Sequence, residues 1–307
     1  MKPHRVGNSR SAAALWRRRA IQVLSGAVLA AAMPLAQANS YPTPYTLTDQ
    51  NSTITVDSAS NDGVSYWMVD GVDQLSQQWF WGRIGSTSGE SSLDTLTLLS
   101  GGPSDTNFNG DNNHLWLKYG DGTTIDDSTF TIALDLNLMG GAPGSKMSDL
   151  ATQVTFSNLT DTGKDLHVFQ YSDFDLSDNY ANDTGTAVNA NTIVQSDGGM
   201  ILTDAVSPTP SKWEIGPYSD IVDSLGNASP TTLGNSGSGM VGDVTYARQW
   251  DFTLQPKGGA NSSFGFSIDQ HITVPDPGTI LLLGAGMLGL AGANRRKRRK
   301  DQAVGRD

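Results

Sequence analysis

The chain's most chemically suggestive residues are carboxylates crowded into one short stretch. Asp173, Asp175, Asp178 and Asp183 follow one another closely, with Ser177, Asn179 and Asn182 between them. On an extended backbone, acids two apart point to one side. A set of donors made only of oxygen suits Ca²⁺, which takes six to eight such ligands. The stretch is not an EF-hand loop, because counting from Asp173 no Gly stands sixth and no Glu twelfth. Two readings therefore stand: calcium ligands, or a solvated loop tied by side-chain-to-backbone turns, the commoner fate of such residues. Asn107 to Asn113, with Asp105 and Asp111, is a weaker candidate of the same kind.

Trp79 and Trp81 lie two apart with Phe80 between them, so a strand would set both indoles on one face. A pair of exposed indoles could stack on sugar rings. Tryptophan more often anchors a core, and that is the stronger reading for this pair as for Trp67, Trp116, Trp213 and Trp250. Catalysis finds little support. His114, His167 and His271 sit in strand-like runs, and neither Gly-x-Ser-x-Gly nor His-Glu-x-x-His occurs. Asp173 and Asp175, neighbours on one segment, are poorly placed to face each other across a glycosidic bond. No catalytic residue is assigned.

The elements that must hold these residues read as β. Alternating runs recur at Thr53–Val56, Val64–Val69, Gln78–Ile84, Leu93–Leu99, His114–Tyr119, Thr129–Leu138, Thr152–Asn158, Asp165–Tyr171, Thr192–Gln195, Gly199–Thr203, Lys212–Ile215, Val244–Leu254 and Ser262–Thr273. Asp-Gly turns at Asp62-Gly63, Asp70-Gly71 and Asp121-Gly122 mark hairpins, because both turn residues tolerate positive φ. Helical periodicity is nearly absent; Asp220 to Leu225 is expected to form a single turn. The pattern predicts an all-β, antiparallel β-sandwich or jelly-roll-like ectodomain.

Both ends read as address labels. Arg17-Arg18-Arg19, the apolar run Ala20 to Met33 and the small-x-small pattern Ala36-Gln37-Ala38 predict a signal peptide over 1–38, cleaved before Asn39. A twin-arginine route fits the residues after the arginines poorly. At the other end Val274, Pro275, Asp276, Pro277 and Gly278 form an extended breaker. A lipid-compatible run from Thr279 to Ala293 comes next, then Arg295, Arg296, Lys297, Arg298, Arg299 and Lys300 as a cationic stop. At about 1.5 Å per residue that run is short of a full bilayer core, so it would span a thinned membrane or snorkel its basic end.

This C-terminal arrangement resembles the PEP-CTERM sorting signal of Gram-negative bacteria, whose pattern is Val-Pro-Glu-Pro-Gly-Thr. Asp276 stands where the family usually has Glu, and the tail 301–307 is longer than the pattern usually carries. The resemblance implies recognition by an exosortase, cleavage near the motif, and delivery to the cell surface or extracellular matrix. Patches such as Gln78-Trp79-Phe80-Trp81 and Phe169 to Leu176 resemble uncharacterised ectodomains that carry the same signal.

Once the ends are set aside, residues 39–274 hold 7 Lys or Arg against 28 acids, a net of −21, and 26 of those acids are Asp. Such a surface repels a phosphate backbone, so nucleic acid is excluded as a partner, whereas cations are attracted. The chain has no cysteine, so the fold needs a core of its own, which 39–273 is long enough to build. The expectation is an exported envelope, surface or matrix protein with a membrane-anchored precursor and a structural or binding role in exopolysaccharide or biofilm. Calcium and polysaccharide are its candidate ligands, and the runner-up is a secreted polysaccharide-acting enzyme.

Overall fold

A computed structural model describes residues 44–274. The signal peptide with its cleavage site at Ala36, Ala38 and Asn39, motif residues Pro275 to Gly278, the apolar run and the stop Arg295 to Lys300 lie outside the described residues. No helix among the described residues is long and apolar enough to cross a membrane.

The described residues are all-β, in two nine-stranded sheets. The first runs β1 (Tyr45–Asp49), β2 (Ser52–Asp57), β3 (Gly63–Val69), β5 (Gln77–Ile84), β11 (Lys164–Asp173), β17 (Val244–Leu254) and β15 (Lys212–Pro217), with β4 (Val72–Asp73) beside β3 and β6 (Ser91–Ser92) beside β5. The second runs β16 (Met240–Gly242), β12 (Asp183–Asn189), β13 (Thr192–Asp197), β14 (Met200–Ser207), β18 (Ser263–Thr273), β10 (Ser148–Asn158), β9 (Phe130–Gly140), β8 (His114–Gly120) and β7 (Thr97–Ser104). Every pairing between these strands is antiparallel except the short β3–β5 contact at Gly63, Val64 and Gln78. There Gly63 has a positive φ, and any Cβ on it would drive into the Trp79 ring.

Alternation explains most strands: β2 and β10 bury every second residue. In the first sheet the middle strands do not alternate. Gln78 to Trp81 of β5, Val168 to Asp173 of β11 and Val244 to Trp250 of β17 are buried as continuous runs, so both faces of the strands are covered. Side chains of the two sheets meet in one core: Trp250 stacks on Phe266 at 4.0 Å, Phe252 on Phe264 at 3.9 Å, and Trp67 Nε1 donates to Ser148 Oγ at 2.9 Å.

That core holds a polar network as well. Asp204 of β14 accepts from Arg248 Nη1 at 2.6 Å, Tyr246 Oη at 2.7 Å, Gln270 Nε2 at 2.8 Å and Gln170 Nε2 at 3.2 Å, every member buried. The pair ties the two sheets together through β14 and β17.

The thirteen expected runs all carry strand, with one adjustment: Leu93–Thr95 is a 3₁₀ turn and the strand follows as β7. Five short strands, β1, β4, β6, β12 and β16, were not anticipated. Asp220–Leu225 forms the expected short helix, α1. Trp116 is a correction, being 43% exposed because β8 turns it away from the side that buries Leu115, Leu117 and Tyr119.

Candidate functional site

The acidic stretch is built where β11 ends. Asp173 is its last residue, paired with Gln77 of β5 and Thr245 of β17. The chain then alternates: Phe174 and Leu176 are fully buried and pin the segment, while Asp175 stays half-buried between them. Phe174 lies 6.1 Å from Trp67 and stacks parallel to Tyr246 at 6.3 Å, and its carbonyl accepts from Gln195 Nε2 at 2.6 Å. Asp175 N donates to Gln74 O, and Asp178 N to Asp73 O. The loop is thus bolted to β4 on one side and the core on the other.

Carboxylate oxygens of Asp173, Asp175 and Asp243 lie within 4.8 Å of one another. Asp243 occupies the one-residue link between β16 and β17. Two oxygens on opposite sides of one Ca²⁺ are separated by at most roughly 5 Å, twice the metal–oxygen distance, so the trio has the span of a shared cation. Of the residues anticipated as ligands, the structure brings Asp173 and Asp175 together. Asp178 lines a neighbouring cleft instead, and Asp183, first residue of β12, is fully buried outside the trio. Asp243 escaped the sequence reading because it stands far along the chain, in a Gly-rich stretch with no second acid beside it.

The electrostatics mark the cluster as unsatisfied. Asp173 Oδ1 and both oxygens of Asp183 are buried without a hydrogen-bond partner. Gln195, one of whose amide N–H groups donates to the Phe174 carbonyl, and the Leu176 backbone both pull the Asp183 carboxyl partly back down, without offsetting its burial. Burial first, then the charges of Asp175, Asp243 and Asp183, push Asp173 up to about 8. Burial and the charge of Asp243 push Asp175 up to about 6. Burial pushes Asp183 up to about 7 and raises Asp243 as well. No Lys or Arg is among the charges acting on these four groups. Buried carboxylates without a counter-charge either hold protons or hold a cation.

Asp175 also opens onto a cleft of about 280 Å³, whose walls include Asp62, Tyr66, Asp73 and Asp178. Tyr66 is 63% exposed and holds a φ of 53°, at the irregular step of the β2–β3 register. A bulky aromatic in that backbone region costs on the order of 1–3 kcal/mol and persists only where its surroundings fix it. Here Tyr66 N donates to Leu75 O at 3.1 Å.

The other candidates take different roles. Trp79 and Trp81 are 0% and 3% exposed. The sugar platform on them is therefore not formed; Trp79 meets Tyr119 and Trp81 meets Tyr171, edge-on, inside the protein. The loop from Asp105 to Asn113 satisfies itself. Asp105 accepts from Phe108 N at 2.7 Å and Gly110 N at 2.9 Å, while Asn107 and Asn109 both donate to Asp49. His114, His167 and His271 each pair with an aspartate, at Asp135, Asp251 and Asp149.

Residues 273–298 match the PEP-CTERM protein-sorting motif. The chain carries a PEP-CTERM sorting signal. It begins at the last residue of β18, so the sorting signal leaves directly from the folded region. A chain with this signal is exported and sorted by an exosortase to the cell envelope or surface. No curated protein matches the chain. Among solved structures, the Slr1438 protein from Synechocystis sp. PCC 6803 is similar at 10% identity and TM-score 0.52, over 79% of this chain and 99% of that one. That likeness concerns the fold alone. A bacterial glucoamylase complexed with acarbose is similar at 12% identity and TM-score 0.48, over 74% of this chain. The family GH92 alpha-mannosidase BT3965 from Bacteroides thetaiotaomicron follows at 10% and 0.35. This chain spans 31% of the glucoamylase's length.

Proposed function

We propose that this is a PEP-CTERM-sorted surface or matrix protein whose ectodomain, a β-sandwich of the two sheets, binds Ca²⁺ and through it polysaccharide. The precursor is held in the membrane by the apolar run after Gly278 until an exosortase acts. The observation that carries the reading is the carboxylate trio Asp173, Asp175 and Asp243, accompanied by buried oxygens of Asp173 and Asp183 that accept no hydrogen bond of ordinary geometry. A divalent cation supplies the missing charge, and three carboxylates leave coordination positions for other oxygens. The cleft at Asp175 is where those oxygens would come from: vicinal hydroxyls of a sugar fit the open positions, and the apolar face of its ring fits against exposed Tyr66. The role is binding rather than turnover.

Calorimetric titration with calcium chloride tests the reading. Saturable heat and a raised melting temperature are expected, both lost in Asp243→Asn. An unchanged melting curve with no heat would remove the cation from the account. Affinity electrophoresis through polysaccharide gels, with and without chelator, tests the sugar step. Chelator-insensitive migration would detach sugar from metal.

A second reading, a polysaccharide-acting enzyme, is favoured by one feature: Asp73, Asp175 and Asp178 all line the open cleft beside Tyr66. Reducing-sugar release from a polysaccharide panel, abolished in Asp175→Asn, would put it first.

A further inference from the structure

A second cavity lies between the sheets, and none of the acids of the cation site lines it. About 320 Å³ in volume, it is walled by Phe80 and Val168 from the first sheet and by Ile132 and Phe156 from the second. The segment from Ser88 to Leu96, with β6 and the 3₁₀ turn, forms its rim. A dry apolar cavity of about 150 Å³ accommodates one benzene. The present one therefore has room for roughly a dozen non-hydrogen atoms, and its size reaches the lower range of ligand pockets, about 300 Å³.

One polar group in this wall is out of balance. Arg83 lines the cavity, and its Nη1 is tied to the Glu90 carboxylate and to Thr231 O at 3.0 Å. Thr231 N donates back to Glu90 at 3.0 Å. The guanidinium lies 5.8 Å from the Phe169 ring centre. Its side chain is only 5% exposed, and Glu90's not at all, so the group is fixed as well as buried. Even so, Arg83 Nε is buried with no acceptor. A buried donor left unpaired is unfavourable, and a ligand oxygen would relieve it.

From that combination we infer a binding site for a neutral, apolar molecule of about ten carbons that bears a single acceptor oxygen, with its chain between the sheets and its oxygen on Arg83 Nε. The neutrality follows from Glu90. It already balances the Arg83 charge, so an anionic head would bring a second carboxylate to one guanidinium in a poorly hydrated place. Water does not replace such a ligand well, because each buried water needs two to four polar partners and the walls are chiefly aromatic and aliphatic. The inference is independent of the cation reading, sharing no residue with it.

The test titrates the full chain with 1-decanol, followed by ligand-observed NMR and by melting temperature, with sodium decanoate at pH 8 and Leu96→Trp as comparisons. Leu96 stands at the rim and is only partly buried, so the larger ring can block entry without overfilling the core. Decanol is expected to bind and raise the melting temperature, decanoate at least tenfold more weakly, and Leu96→Trp to abolish the response. Ile132→Phe, which fills the cavity from inside, should do the same if the Leu96 variant folds poorly. Decanol binding that persists in both variants would place the ligand elsewhere and overturn the site, as would the absence of binding in the unaltered chain. Decanoate equal to decanol would overturn the neutral head.

Discussion

Two Asp- and Asn-rich loops, of similar composition, end in opposite states. At the loop from Asp105 to Asn113 the two acids that organise it are spent: Asp105 takes two backbone N–H groups, and Asp49 beneath them takes two asparagine amides and Gly140 N. Between Asp173 and Asp183 burial is deeper and donors are scarcer, leaving Asp173 Oδ1 and both Asp183 oxygens unbonded. A third case sits in the core, where Asp204 is as buried as Asp183 yet accepts from Arg248, Tyr246, Gln270 and Gln170. Composition alone therefore does not identify a cation site. What distinguishes one is the number of donors the fold aims at each oxygen.

The sharpest way to break this comparison is to unbalance the satisfied member. Removing one partner of a buried ion pair costs about 3–5 kcal/mol because the survivor is left charged and unpaired. Arg248→Met should accordingly lower the melting temperature by roughly 10 °C, at about 2–4 °C per kcal/mol for a domain of this size. Arg248→Met with Asp204→Asn should recover part of it, because the neutral amide leaves no buried charge unpaired while its oxygen can still accept from Tyr246 and Gln270. A single variant that melts like the unaltered protein would show that the Asp204 network is not what joins the sheets.

Next in size is the unsatisfied member. Calcium at about a hundred times its dissociation constant should stabilise the fold by about 2.7 kcal/mol, measurable as a melting shift. The pH dependence gives the same contrast with a definite sign. Carboxyls whose pKa is raised in the folded state hold more protons folded than unfolded, so stability falls as pH rises through that interval. With Asp175, Asp183 and Asp173 pushed up to about 6, 7 and 8 from 3.8, the metal-free protein should melt lower at pH 8 than at pH 5. Calcium should erase that difference. Asp183→Asn should weaken the pH dependence. Asp70 and Asp127 are held below the usual range by hydrogen bonds, so their contribution falls away only at acid pH, under about 4. A metal-free protein more stable at pH 8 would refute the assignment.

A smaller effect is expected from Asp105→Ala, which strands two backbone N–H groups near the surface and should cost about 1–2 kcal/mol. Its calcium response should match that of the unaltered chain. If the response disappeared, the two loops would be coupled rather than independent.

These contrasts were unevenly legible in the sequence. The strands were, because alternation and Asp-Gly turns are local. So was the crowding of Asp173, Asp175, Asp178 and Asp183. Asp243 was not: it joins Asp173 only because β17 pairs with β11, and nothing near Asp243 announces that pairing. Asp204 could have been found. It falls in phase with Met200, Leu202 and Val206, the buried face of β14, and Gln270 is likewise in phase with Phe266, Ile268 and Ile272 of β18. An acid on the inward phase of a strand announces a buried partner. Trp79 and Trp81 read more strongly as core than as ligands, and the burial that decides for core, with β5 covered on both faces, is set by neighbours distant in sequence.

The smallest expected change in stability bears most directly on function. Tyr66 combines an exposed ring with a backbone conformation that asparagine tolerates far better than tyrosine. In Tyr66→Asn the ring's modest buried area is lost while local strain is relieved. The two terms oppose, and the melting temperature should move by no more than the shift of about 0.5 kcal/mol typical of surface substitutions. Calcium binding should be unaltered, since Tyr66 is no part of the trio Asp173, Asp175 and Asp243. Polysaccharide retardation should fall sharply, because the cleft keeps its carboxylates and loses its aromatic wall. If retardation persists undiminished, the sugar is held elsewhere and the strained ring serves the β2–β3 register alone. If calcium affinity falls with it, the cleft and the carboxylate trio are one structural unit rather than two adjoining ones.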